Sequence, residues 1–415
     1  MQTGTPSYWQ TTGSSFHLSS ELPAAVDIIV IGGGIIGTSI CYWLAREGMN
    51  VALLERNALA YGATGRNGGF IVAGPATAYH EVIAQLGHET AHAILQFTCE
   101  NNILLQRILE EEGIQCDYRN TGNIRIAITE QQLKGYKDEV EALKRDNFSI
   151  SLLEHYQIQS LIKTPISSEI IGGQFLPGQA TVHSAKLIEG LAQAAARRGA
   201  KFYHADVQKI TDQADHILVH TKSQTIQCKK AIIATNAWIS ELIPALKDIV
   251  IPVREQMLAY APIEPIFTTG VAADIVTCEY WQQTSDGTIL VGGCGSIEED
   301  KRIGSWDYEP TSETQHAIEQ ILPRLFPNLN HLRPVQRWAG LLDYTTDAFP
   351  IIDQAPNIAG VYFATGFSGH GMPFGMRLGQ LLAATTANNK LPSELHYYRL
   401  SRPTLKKWNI NKTEE

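Results

Sequence analysis

The chain has 415 residues, 44% hydrophobic and 18% charged, which suits two or three packed domains and excludes a disordered chain or a coiled coil. Its 33 Lys and Arg stand against 42 Asp and Glu, a net charge of −9 that argues against attraction to nucleic acid or an anionic membrane. Six scattered cysteines (Cys41, Cys99, Cys116, Cys228, Cys278, Cys294) show no C-x-x-C spacing, against structural zinc, an iron–sulfur cluster or a disulfide framework.

Met1 to Pro23 reads as a polar leader without the basic and apolar regions of a signal peptide. The uncharged run Ile28 to Ala45 has the length of a membrane span, but its glycines favour a nucleotide-binding unit. Val26 to Ile31 predicts a buried parallel strand, Gly34 to Gly48 a helix with Ile36, Ile40, Trp43 and Leu44 on one face, and Val51 to Glu55 the next strand. A loop rich in Gly, Ala and Thr occupies 58 to 76. Helices are expected over about Thr90 to Glu112, over 130 to 146, and over Ser184 to Arg198, with a strand at Gly122 to Ile128. Strands are expected within Lys201 to Cys228, at Ala231 to Thr235 and through 251 to 300, with a turn at Ser285-Asp286-Gly287. A helix at Thr311 to Leu322, a strand at Val361 to Thr365 and a helix from about Gly371 to Thr386 complete the chain.

Gly32-x-Gly34-x-x-Gly37 sits between the first strand and helix. Gly32 permits the tight turn, Gly34 lets backbone approach a pyrophosphate, and Gly37 lets helix and strand pack closely. Glu55 ends the second strand, where a carboxylate accepts from a ribose hydroxyl. A bland glycine-rich turn is the alternative for the glycines alone, and the pattern leaves NAD and FAD open. The return to a strand, glycine-rich turn and helix at Gly360-VYFAT-Gly366-FS-Gly369-His370-Gly371 favours FAD, because a helix N-terminus there can stabilise a reduced anionic flavin.

Together with the loop Gly62-Ala-Thr-Gly-Arg-Asn-Gly-Gly69, the run AIIATNAW, Trp338-Ala-Gly340, Thr346-Asp347 and Pro350-Ile-Ile-Asp353, these motifs resemble the D-amino-acid-oxidase-like FAD oxidoreductases. The resemblance lies in the glycine and sarcosine oxidase branch. Ser7-Tyr8-Trp9 and the Gly-Arg-Asn-Gly-Gly loop look most like γ-glutamylputrescine oxidase-type proteins. It implies an α/β architecture: a Rossmann-like FAD-binding domain from 24–85, 150–240 and 330–390, interleaved with a smaller α+β substrate domain from 86–149 and 241–329 with a mixed, antiparallel-rich sheet. Residues 1–23 and 391–415 are then leader and tail. It also implies that Gly32, Gly34, Ile35, Ile36, Gly37, Glu55 and Arg56 hold the dinucleotide. Ala63, Thr64, Arg66, Asn67, Gly68 and Gly69 pass beside the flavin, and Val207 contacts adenine through its backbone. Thr235 and Asn236 end a cofactor-facing strand, and Gly366, Gly369, His370, Gly371 and Met372 close over the isoalloxazine.

The cysteine that carries covalent flavin in sarcosine oxidases is missing, since no cysteine follows Cys294, so FAD should be non-covalent. The glycine oxidase carboxylate anchor is replaced by Leu342, and the sarcosine oxidase lysine neighbourhood reads Met372-Pro373-Phe374. Arg66, Arg254, Arg302 or Arg337 would have to substitute. With Asp343, Glu279 and Asp347 nearby, the pattern favours an amine with a second cationic or polar end over a simple amino acid. His370 is either a cation aiding oxygen reduction or a loop brace, and Asp343 either pairs with an amine tail or is a solvated loop acid. Trp338 reads as core, and His88 and His92 as a solvated helix face. The expected function is oxidation of a C–N bond by hydride transfer to flavin N5 and hydrolysis of the imine, with oxygen or another electron acceptor, in the cytoplasm. No nucleic-acid partner, metal or transmembrane span is expected. A flavin-fold binding protein without turnover and an NAD-dependent dehydrogenase are the rivals.

Overall fold

The computed structural model describes residues 4–13 and 15–409. Two sheets organise it. The first has six strands in the order Ile351–Gln354, Val361–Thr365, Lys230–Ile233, Ile28–Ile31, Val51–Glu55 and Lys201–His204. All neighbours are parallel except the outermost pair, 351–354 with 361–365. Its central strands are short apolar runs because both faces are covered, and Ile28–Ile31 is buried at every position. Helices Ile35–Arg46, Ser184–Arg197 and Gly375–Asn388 cover one face. The antiparallel strands Val207–Asp212, Ile217–Thr221 and Thr225–Cys228 cover the other, sharing a core with Ile29 and Ile31.

The second sheet has eight strands, in the order Pro334–Tyr344, Ile251–Tyr260, Ile289–Gly292, Glu279–Gln283, Gly270–Ala273, Asn123–Ala127, Gly172–Leu176 and Ser151–Glu154. It is mixed, with one parallel pair, 270–273 with 123–127. One face buries Ile124, Ile126, Val271, Trp281 and Val291 together with Ile318 and Leu322 of helix Ser312–Leu325. The other face meets the first unit, where Gln282 donates to the carbonyls of Gly68 and Gly69.

The two units interleave as expected, but the strands fall on different sides of the expected boundaries. Strands 151–154, 172–176 and 334–344 pair in the eight-stranded sheet, not with the dinucleotide sheet. Helix His88–Glu112, expected in the substrate domain, packs on Gly375–Asn388, and Asn101 Oδ1 accepts from Met376 N (2.8 Å) and Arg377 N (3.1 Å). Side-chain periodicity gives an element's type but carries no record of which sheet a strand joins. The last helix begins at Gly375, about one turn later than expected, because residues 366–374 form a separate turn with positive φ at Gly366, Ser368 and Gly369.

The described segments nearest each end pack onto the rest of the molecule. In the expected leader, Ser7 caps the short helix Tyr8–Thr12 in a reciprocal capping box with Gln10. At the other end, Arg402 makes a buried two-pronged ion pair with Asp347 (2.7 and 2.8 Å) and donates to Phe349 O and Pro350 O. His88 is not simply solvated, since it meets Asp146 at 2.8 Å, while the His92 ring lies against Phe148. Among the described residues no cluster of His, Cys, Asp and Glu is arranged to hold a metal ion.

Candidate functional site

A cavity of about 590 Å³ opens at the carboxyl ends of the first sheet's strands, where open α/β sheets place ligands. Its floor is the turn Gly32-Gly33-Gly34 and the start of helix Ile35–Arg46. Gly32 has φ +110°, and a Cβ there would overlap Ala234 O. A Cβ on Gly37 would overlap Gly32 O, so this residue lets helix meet strand and lies outside the lining. Gly34 caps the helix without a side chain, so the N-terminal dipole and amides face the cavity, and Thr64 Oγ1 accepts from Ile35 N at 3.1 Å.

Glu55 stands at the rim. Its carboxylate accepts from Gly33 N (2.8 Å) and Asn57 N (2.7 Å), and burial pushes it above the ordinary carboxyl range. Arg56 lies 4.5 Å over the Trp238 ring, which is near-parallel to Tyr308 and 5.3 Å from Trp306. Tyr61, Trp238, Trp306 and Tyr308 form an aromatic wall of the cavity. None of the four was named from the sequence as a site residue. Trp238 was visible at the end of AIIATNAW, whereas Trp306 and Tyr308 arrive from the other unit and carry no local motif.

Of the expected residues, Gly32, Gly34, Ile35, Ile36, Glu55, Arg56, Ala63, Thr64, Asn67, Val207, Thr235, Asn236, Leu342, Asp343, Gly369, Gly371 and Met372 line this one cavity. Arg66, Gly68, Gly69, Gly366, His370 and Arg302 do not. Arg66 is buried behind it, donating to Thr5 O (3.0 Å), Tyr61 O (3.1 Å) and Ala339 O (2.8 Å). Gly68 and Gly69 let Tyr280, Gln282 and Trp9 approach the loop backbone. Gly366 N donates to Asp343 at 2.6 Å.

His370 Nδ1 sits 3.4 Å from Ser368 O, and burial pushes its imidazole down, with the Arg125 charge adding to the effect. The Ser368 contact fits the loop brace, one of the two roles considered from sequence. Asp343 is not a solvated loop acid. It is buried, accepts from Gly366 N and Thr365 Oγ1, and is pushed up to about 6 by burial.

The charges expected to select substrate are also spoken for. Glu279 accepts from the amides of Ile275, Val276, Thr277 and Cys294, and Asp347 pairs with Arg402. Arg254 pairs with Asp307 (2.9 Å), Arg337 with Glu319, and Arg302 with Glu255. The expectation of a second cationic substrate end, so far as it rested on Asp343, Glu279 and Asp347, loses its support.

The site fits FAD on its own features. A glycine turn where a Cβ would clash, an open helix N-terminus with an acid at ribose distance in sequence, and an aromatic wall form one continuous cavity. The Thr235 hydroxyl, on the lining, is buried without a hydrogen-bond partner.

Residues 27–385 match the model of the DAO family, described as FAD dependent oxidoreductase. The chain is 26% identical over 371 residues to the probable oxidoreductase OrdL of Haemophilus influenzae, covering 86% of this chain and 82% of that protein. It is 24% identical over 391 residues to the γ-glutamylputrescine oxidoreductase of Escherichia coli, covering 91% and 88%. The crystal structure of glycine oxidase from Geobacillus kaustophilus shares the fold, with TM-score 0.78 and 21% identity over 92% of this chain and 99% of that one.

Proposed function

We propose that this chain, which belongs to the DAO family of FAD-dependent oxidoreductases, oxidises the C–N bond of a small amine or amino acid to an imine that water then hydrolyses. The observation that carries the reading is the continuity of one cavity from the Gly32–Ile36 grip to the Gly369–Met372 loop, with Leu342 of the second sheet on its wall. FAD, when bound, supplies the hydride acceptor. The amides of the first helical turn would receive its pyrophosphate, Glu55 its ribose, and Ala63, Thr64 and Asn67 its ring system. No cysteine is among the residues lining the cavity, which supports a flavin held without a thioether bond to the chain.

The chain's remaining work is positioning. Leu342 follows Trp338-Ala-Gly-Leu341, where the resemblance to glycine oxidases implies a carboxylate anchor, and each arginine considered as a replacement already has a carboxylate or carbonyl partner. Relatives named as a γ-glutamylputrescine oxidoreductase and a glycine oxidase support the amine class and leave its member to experiment. No helix among the described residues is long and apolar enough to cross a membrane, which suits a cytoplasmic enzyme.

Anaerobic mixing of the FAD-loaded protein with glycine, sarcosine, D-alanine, propylamine, putrescine and an N-acylated putrescine tests the reading. Bleaching of the oxidised flavin by at least one is the expected result, and a flavin left oxidised by every amine counts against it. Hydrogen peroxide release in air then separates oxygen from another acceptor.

A further inference from the structure

Residues 303–311 of the second unit join the short helix Glu299–Arg302 to helix Ser312–Leu325. This strap is tied back to strand Ile251–Tyr260. Ile303 bridges Val253, Gly304 N donates to Pro252 O (2.8 Å), and Asp307 pairs with the buried Arg254 guanidinium (2.9 Å). Trp306 and Tyr308, on either side of Asp307, go the other way and line the dinucleotide cavity. Asp307 thus anchors the strap to its own unit while its two neighbours reach the other.

Both rings meet Trp238, Trp306 at 5.3 Å and Tyr308 at 6.2 Å and near-parallel. Arg56 lies 4.5 Å over the same indole and directly follows Glu55, the acid at the ribose end. Glu55 and Arg56 are among the charged groups that act on the Tyr308 phenol, and the Arg66 guanidinium lies 4.9 Å from its ring. The strap therefore stands beside the ribose acid, on the cavity that the glycine turn also lines.

The polar tip of Tyr308 is unused. The residue is 5% exposed, and among the described residues nothing hydrogen-bonds its hydroxyl. A buried hydroxyl on a cavity wall without a protein partner is a donor available to a ligand. Trp306 is 42% exposed, unlike the fully buried Trp281 and Trp338 of the second sheet, so it does not serve as core. An indole left open beside a phosphate grip and a ribose acid suits a ligand with a flat base.

We propose that Trp306 and Tyr308 recognise the ADP half of FAD, the indole offering its surface to the adenosine and the phenol donating to ribose or phosphate oxygens. The second unit then takes part in holding the cofactor and is not confined to the substrate side. Asp307 is a positioning residue, because its ion pair with Arg254 sets where both rings stand. The inference rests on FAD as the cofactor and is independent of the reaction proposed for it. FMN, which has no adenosine, gains nothing from Trp306.

The test uses the full chain loaded with FAD and follows the flavin fluorescence released as ADP or FMN displaces it, alongside the dissociation constant of FAD itself. Trp306→Ala should raise the constants for FAD and ADP by at least about fivefold, the low end for losing one aromatic surface under a base, and change that for FMN by less than about twofold. Tyr308→Phe keeps the ring and should raise the ADP constant at least about threefold through the lost hydrogen bond. An ADP constant unchanged in both variants overturns the proposal, and so does one that rises no more than the FMN constant in W306A. Asp307→Asn removes a negative charge, which by charge alone would tighten the binding of anionic ADP. Weaker ADP binding in D307N therefore supports positioning, whereas equal or tighter binding overturns that role. Because every readout is a binding constant, failure to oxidise any amine leaves the outcome of this test untouched.

Discussion

Asp343 accepts two hydrogen bonds from the turn at Thr365 and Gly366 inside a wall otherwise made of apolar strand. Burial pushes its carboxyl up to about 6 from an ordinary value of 3.8. A raised carboxyl pKa means that the folded chain holds the proton more tightly than the unfolded one. Asp343 therefore favours folding below about pH 4 and costs stability as pH rises through 4 to 6, by about 3 kcal/mol in total. The side-chain amide introduced by Asp343→Asn cannot ionise but can still accept from Gly366 N. For this variant, the difference in unfolding free energy from wild type should grow in favour of the variant by about that amount between pH 4 and 7. Urea unfolding at the two pH values reads it, and a difference that stays flat removes Asp343 as the origin. The motif showed that a carboxylate follows Leu342. It did not show that the carboxylate points into the turn, because strand pairing and the positive φ of Gly366 decide that.

The helix Tyr8–Thr12 is five residues long, too short to be stable alone, and is held by what it touches. Trp9 Nε1 donates to Asn67 O at 2.6 Å, Gln10 Nε2 to Tyr61 O at 2.9 Å, and Ser7 Oγ to Gly65 O. Its partners are the backbone carbonyls of the loop beside the candidate flavin site. Trp9→Phe keeps most of the buried ring and removes one hydrogen bond, a change of about 1 kcal/mol. We expect W9F to raise the dissociation constant for FAD several-fold with little change in far-UV dichroism. Equal FAD affinity in W9F and wild type would show that the helix does not tune the loop. The strand–glycine–helix unit and the helices at 130–145 and 184–197 were legible because periodicity, caps and glycines agree there. The helix at Tyr79–Leu86 and the strand role of Pro334–Tyr344 were not. The first is short, and the second has nearly all its central residues buried, so it shows no alternation.

At the scale of the whole molecule, the glycine grip, the acid at Glu55 and the FAD chemistry were readable, since they follow from contiguous residues. The aromatic wall and the balance of charges were not, since they depend on which of two interleaved sheets each segment enters. A cavity that joins both units makes FAD part of the fold's stability. At a free FAD concentration about 100 times its dissociation constant, the folded state should gain about 2.7 kcal/mol. Stripped protein should then melt several degrees lower than loaded protein and recover on adding FAD, whereas NAD at the same concentration should leave the melting temperature unchanged. A matching rise with NAD would return the dehydrogenase reading.

The order of the cavity wall along the chain has a consequence for synthesis. Its lining begins at Ile31 and ends at Met372, and the aromatic side is supplied by Trp306 and Tyr308. A ribosome that has finished the glycine turn and helix Ile35–Arg46 has made a grip for a pyrophosphate but no enclosure. The enclosure is complete only after Met372 has emerged. Nascent chains halted before residue 300 should therefore hold FAD weakly if at all. The flavin is captured only after the segment up to Met372 has been made, so capture follows synthesis of both sheets.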